Sequence, residues 1–177
     1  MRVIAGRYGG RRIAAPPGEA TRPTADRVRE ALFSILGARL HEARVLDLFA
    51  GAGTLGLEAL SRGAASATFV DSAPRALQAL EANLAALGIA AEVVRADALV
   101  WLRAAARGAR EYDLVFLDPP YRRAGDLGEP LSELLPAVLA PGALVIAESD
   151  RRSPLELEIT ATDERRYGDT LIRIHAA

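Results

Sequence analysis

Between Arg44 and Ala147, short apolar runs and amphipathic stretches take turns along the chain, and few folds accept that rhythm. Candidate strands lie at 44–49, 67–70, 91–95, 113–117 and 143–147, with helical patterns over 54–62, 74–87, 97–107 and 128–139 between them. Strand–helix alternation of this kind predicts an α/β fold, a mostly parallel sheet with helices on both faces. After Glu148 the pattern changes. Residues 155–161 and 171–175 alternate in period two on either side of Tyr167-Gly168-Asp169, which predicts a closing antiparallel pair. Ahead of the core, residues 2–14 read as a β-hairpin with an Arg-decorated turn around Tyr8-Gly9-Gly10, and 15–21 as a loop. A helix starts near Thr24, with Val28, Ala31, Leu32, Ile35 and Leu36 on its apolar face. Residues 1–43 are too few for a core of their own, so the chain is read as one domain: an arm and helix over 1–43 and an α/β core over 44–177.

Composition removes several chemistries. The absence of Cys excludes disulfides, thiolate metal sites and Cys nucleophiles. The segment Met1 to Arg7 lacks the apolar region of a signal peptide, and no apolar stretch approaches a membrane span, so a cytoplasmic protein is expected. His41 and His175 have no ligand spacing and are read as structural, with no metal. The net charge of −1 hides an asymmetry: residues 1–40 carry eight Arg against three acids, leaving −6 for the rest. A basic arm interleaved with Gly and aromatic residues is the footprint of a polyanion partner, although such charges also serve plain solvation. Arg2, Arg7, Arg11, Arg12 and Arg22 are the candidate RNA-phosphate contacts, and the hairpin flanks the pocket only if it packs near the fourth strand.

The first core strand runs into Asp47-Leu48-Phe49-Ala50-Gly51-Ala52-Gly53-Thr54-Leu55-Gly56, a G-x-G-x-x-G turn that opens a helix. Asp71 closes the next strand at the spacing of an acid that bonds ribose hydroxyls. Strand, turn, helix and acid in register point to a nucleoside cofactor. Asp47, expected to point into the pocket, would oppose a pyrophosphate and welcome an ammonium or sulfonium. S-adenosyl-L-methionine carries both positive groups. Asp97 is placed to accept from an adenine amino group or to cap the following helix, or both. Phe49, Ser72 and Ala98 flank these residues and complete the expected cofactor contacts.

Asp118-Pro119-Pro120-Tyr121 ends the fourth strand. Two prolines cannot continue a ladder, so the chain must break at the strand's C-terminal edge, where open α/β sheets keep their ligands. A carboxylate, a stiff backbone with free carbonyls and an aromatic ring suit the holding of a flat, amino-bearing base. A plain turn, with Asp118 as a solvated cap and Tyr121 as a rim aromatic, is the alternative.

Together, Asp47 to Gly53, Asp71, Asp97 and Asp118–Tyr121 resemble the motif series of class I S-adenosylmethionine-dependent methyltransferases with a Rossmann-like fold. The Asp-Pro-Pro-Tyr run resembles those that methylate exocyclic amines of nucleobases. Arg2-Val3-Ile4-Ala5-Gly6, the block Arg22 to Phe33, and Tyr167-Gly168-Asp169-Thr170 are similar to the RsmD family, the bacterial 16S ribosomal RNA guanine-N2 methyltransferases. The chain departs from that pattern at Ala5, where Gly is frequent, and at Tyr8-Gly9-Gly10-Arg11, where a bulkier turn is frequent. The resemblance implies methyl transfer to a guanine N2 in 16S rRNA of the small subunit or its assembly intermediate, with S-adenosyl-L-homocysteine as product. It also implies that Thr24 and Arg27 close the cofactor pocket; a monomer is expected. Residue chemistry alone leaves adenine N6 and cytosine N4, in DNA or RNA, and a non-catalytic assembly factor as alternatives. A nicotinamide oxidoreductase is disfavoured by Asp47 and by the absence of Lys.

Overall fold

The computed structural model describes residues 1–15, 23–120 and 124–177, with the side chains of residues 23–25 also left aside. Helix α1 spans Pro23–Leu36. It is followed by β1 (Arg44–Leu48), α2 (Thr54–Ser61), β2 (Ser66–Asp71), α3 (Pro74–Leu87), β3 (Glu92–Arg95), α4 (Ala98–Arg107) and β4 (Tyr112–Leu117). The remainder is α5 (Ala124–Leu134), β5 (Leu139–Asp150), β6 (Ala161–Tyr167) and β7 (Thr170–Ala176). The seven strands form one sheet in the order β3-β2-β1-β4-β5-β7-β6. The first five are parallel, and β7 and β6 are antiparallel, as the alternation predicts. Each parallel crossover carries a helix, so the sheet is covered on both faces. Val45, Phe69, Leu114 and Phe116 pack with residues of α1, α2 and α3; Leu46, Val115 and Leu117 pack with α4 and α5.

Four expectations change. The apolar stripe of α1 runs through Val28, Leu32, Phe33 and Leu36; Ile35 is 42% exposed. Phe33 takes its place because its ring meets Phe116 of the sheet at 5.7 Å. The helix expected over 128–139 begins at Ala124 and gives way to a 3-10 turn at Leu135–Val138. Gly128 lies inside that helix at a close approach: a Cβ on it would lie 2.2 Å from the Glu156 carbonyl. Of the strand expected over 155–161, residues 155–160 form none. Leu155, Leu157 and Ile159 pack on the α4–α5 core, and the Glu158 amide donates to Ser132 Oγ at 2.9 Å. The strand paired with β7 is Ala161–Tyr167, an edge strand that is polar on both faces.

The N-terminal hairpin forms in short compass: one antiparallel bridge, Arg2–Arg12, with the Val3 amide donating to the Arg11 carbonyl, the Gly10 amide to the Val3 carbonyl and the Ile13 amide to the Met1 carbonyl. Tertiary bonds fasten it to the core. Glu58, 1% exposed on α2, accepts from the Ile4 and Ala5 amides at 2.7 and 3.1 Å and from Arg62 Nε at 2.7 Å. Ser61 accepts from the Tyr8 amide through Oγ and from the Arg7 amide through its carbonyl. The arm thus lies on α2 and α3. Among the described residues no helix is long and apolar enough to cross a membrane.

Candidate active site

At the C-terminal edge of the parallel strands lies a cavity of about 650 Å³. Its walls come from the turn after β1 (Phe49 to Ala52, Thr54), the tip of β2 (Asp71, Ser72), the start of α4 (Asp97, Ala98) and Asp118-Pro119-Pro120. Motifs spread over seventy residues of sequence therefore meet at one place. Tyr121 and Arg22 lie outside the described residues, as does the side chain of Thr24. Arg27 is exposed on α1 and does not line the cavity.

The glycine turn is shaped from within and clamped from without. Phe49, a non-glycine residue, sits at φ 74°, with its amide and that of Ala50 both donating to the Val70 carbonyl at 3.0 Å. That left-handed conformation is costly outside glycine. Nothing in the local pattern predicts it. A Cβ on Gly56 would fall 2.3 Å from the Phe69 ring, so this glycine lets α2 approach the sheet. Two side chains clamp the loop. Asp71 Oδ2 accepts from the Gly51 amide at 2.8 Å, and Asn83 Nδ2 donates to the Ala52 carbonyl at 3.1 Å. Asn83, 2% exposed on α3, also accepts from the Ala14 amide and donates to its carbonyl. Sequence reasoning missed Asn83; a lone Asn on the buried face of a helix was its signal.

The aspartates differ in role. Asp71 Oδ1 accepts from the Ala73 amide at 2.8 Å, so each oxygen already holds one backbone donor and keeps capacity for a second. Asp97 caps α4, its Oδ1 accepting from the Leu99 and Val100 amides, and lines the cavity as well. Asp118 is exposed into the cavity beside the buried Pro119. Asp47 departs from expectation. It is 2% exposed and does not line the cavity; its Oδ2 accepts from the Gly56 amide at 2.8 Å beneath the turn. The cause is strand parity, which aims position 47 at α2. Burial pushes its carboxyl up to about 7, partly offset by the Gly56 amide and augmented by Asp71.

Three carboxylates thus line the cavity, and among the described residues no basic side chain does. Such a field suits a ligand carrying positive charge and hydroxyls and opposes a pyrophosphate. Around it the arm contributes Met1 to the cavity wall. Arg7 and Arg12 are exposed, Arg7 over the Tyr8 ring at 5.4 Å. Arg2 faces Asp26 at 4.0 Å, and Arg11 donates to the Ala86 carbonyl at 2.6 Å, near the C-terminus of α3. His175 is 1% exposed, with Nδ1 2.7 Å from the Ile159 carbonyl, and His41 is exposed beside Glu42. Among the described residues no three metal-ligating side chains cluster.

Comparison with known proteins agrees with this geometry. Residues 1–176 match the family model described as conserved hypothetical protein 95. Ribosomal RNA small subunit methyltransferase D of Escherichia coli K12 is 43% identical over 152 residues, covering 85% of this chain and 75% of that protein. The solved structure of a hypothetical protein from Thermus thermophilus superposes with a TM-score of 0.85 at 30% identity, covering 100% and 99% of the two chains. The T. thermophilus 16S rRNA N2 G1207 methyltransferase, solved with AdoMet and guanosine, shares the fold at 22% identity and TM-score 0.73, covering 90% of this chain and 44% of its own. This chain, with its glycine turn and its Asp-Pro-Pro edge in one cavity, belongs to the RsmD family.

Proposed function

We propose that the protein transfers a methyl group from S-adenosyl-L-methionine to the N2 amine of a guanine in 16S rRNA of the small ribosomal subunit. The observation that carries this reading is that Asp118-Pro119-Pro120 and the glycine turn line one cavity with Asp71 and Asp97. Asp71 would hold ribose hydroxyls and Asp97 the adenine amine, while the acidic walls suit the cofactor's ammonium and sulfonium charges. When bound, the cofactor supplies a sulfonium methyl whose transfer to an amine leaves S-adenosyl-L-homocysteine and one proton.

The rest falls to the chain's own groups. The guanine N2 lone pair is delocalised into the ring, so positioning is the main contribution. Asp118 and the Pro119 carbonyl accept the two N2–H groups, orient the amine and stabilise charge developing on nitrogen. Asp118 then receives the released proton on its way to water. The two prolines stiffen the acceptor carbonyl, and Tyr121 stacks on a base splayed out of its helix. Arg7 and Arg12, exposed on the arm, contact phosphate.

The test is methyl incorporation from labelled cofactor into small subunits lacking base methylation, with duplex DNA and Asp118→Ala alongside. Label as N2-methylguanine in 16S RNA, reduced about 10³-fold in the variant, is expected. Label in DNA would make the protein a DNA amino-methyltransferase. Cofactor binding without transfer to either would make it an assembly factor.

A further inference from the structure

Next to Asp118 stands a carboxylate that none of these roles uses. Strands β4 and β5 keep parallel register through Leu117 and Ala147. The following residues, Asp118 and Glu148, therefore come side by side at about the 4.8 Å spacing of neighbouring strands. They also share a face. Phe116 and Ile146, two residues back, both lie in the core under α1–α3, whereas Leu117 and Ala147 lie in the opposite core. Period-two alternation then turns Asp118 and Glu148 together to the α1 side. Glu148 is half-buried, and among the described residues its carboxylate has no hydrogen bond and no ion pair within 4 Å. The buried Arg29 of α1 lies within its field, with Nη2 committed to the Arg2 carbonyl and Asp26. That positive charge favours ionised Glu148 against the desolvation that pushes its carboxyl up.

The cofactor half of the cavity is built from the tips of β1, β2 and the β3–α4 turn. The side of Asp118 away from these tips is the β5 side, where Glu148 stands just outside the cavity lining, and a base seated there would meet Glu148. We propose that Glu148 is the residue that selects guanine, by accepting the hydrogen of the ring N1. This rests on the guanine-N2 reading above and deepens it. Once Asp118 and Pro119 grip an exocyclic amine, the adjoining ring atom distinguishes the bases. Guanine presents N1–H there, whereas adenine N1 and cytosine N3 present a lone pair. A carboxylate one strand over accepts from the first and repels the other two. Two acceptors on adjacent strands thus match two contiguous donors, and Asp118 alone offers no such discrimination.

The probe is 2-aminopurine, which keeps the exocyclic amine of guanine and lacks N1–H. Small-subunit RNA carrying guanine or 2-aminopurine at the methylated nucleotide is compared in two readouts: affinity for the protein loaded with S-adenosyl-L-homocysteine, and methyl transfer. The parent protein favours guanine by about 10- to 100-fold, the worth of one hydrogen bond to a charged acceptor. Glu148→Ala brings the ratio close to one. Glu148→Gln, whose amide oxygen still accepts, retains part of it. Thermal melting and S-adenosyl-L-homocysteine affinity equal to the parent's show that the variants are folded. An unchanged ratio in either folded variant, or a parent that takes both bases equally, overturns the assignment to Glu148 and leaves the methyltransferase reading standing. A parent that forms no N2-methylguanine overturns both.

Discussion

Asp47, Asp71, Asp97 and Asp118 gather within one edge of the sheet, yet each is held differently, and the holding sets its chemistry. Asp71 and Asp97 each accept from backbone amides and also line the cavity. Asp47 is buried under the turn with its carboxyl raised to about 7. A group whose folded value exceeds its unfolded one, here 3.8, binds protons more tightly in the folded state. Its contribution to stability is therefore full below about pH 4 and lost as pH rises through 7. Asp47→Asn should melt higher than the parent at pH 8, by roughly 5 °C, with a smaller gap at pH 5. A gap independent of pH would mean that Asp47 stays ionised across this window. Identity and spacing of Asp71 and Asp97 were legible in the sequence because both end apolar strands. The burial of Asp47 was not, since parity names a face but depth depends on how closely α2 packs.

At the scale of elements, the first four parallel strands were readable from their apolar runs to within a residue or two, whereas β5, expected over 143–147, extends over Leu139–Asp150. The misreadings share one cause: contact with another element overrode the local pattern. Residues 155–160 alternate like a strand, yet their apolar side chains pack on the α4–α5 core. The turn after β1 depends on such contacts too. Gly56→Ala should cost about 1–3 kcal/mol in a urea melt, because Phe69, 0% exposed, has little room to yield. An unchanged midpoint would refute the close-approach role. Asn83→Ala leaves the Ala14 amide and the Ala14 and Ala52 carbonyls without this partner. It should lower stability by about 1–3 kcal/mol and weaken cofactor binding several-fold by calorimetry. Stability loss with unaltered binding would show that the Asn83 bond does not position the loop.

Over the whole molecule, charge and docking of the arm set how the protein meets a polyanion. The first forty residues are strongly basic and the remainder acidic, while Glu58, Ser61 and Asn83 fasten residues 4–14 onto α2 and α3. If Arg7 and Arg12 contact phosphate, the combined variant Arg7→Glu/Arg12→Glu should weaken binding to small subunits. It should also flatten the salt dependence of log affinity by on the order of two counterions. Melting temperature and cofactor affinity should stay at the parent's values. A parallel loss at every salt concentration would assign these arginines to structure instead.

The order of strands and helices, the glycine turn and the Asp-Pro-Pro edge were determined by the sequence alone, because each rests on local physics: burial on two faces, backbone freedom, and prolines that end a ladder. Tertiary structure alone decided that Asp47 stays beneath the turn and where the arm lies, and it set Glu148 beside Asp118. Those outcomes depend on packing between segments far apart in the chain, which local pattern does not encode.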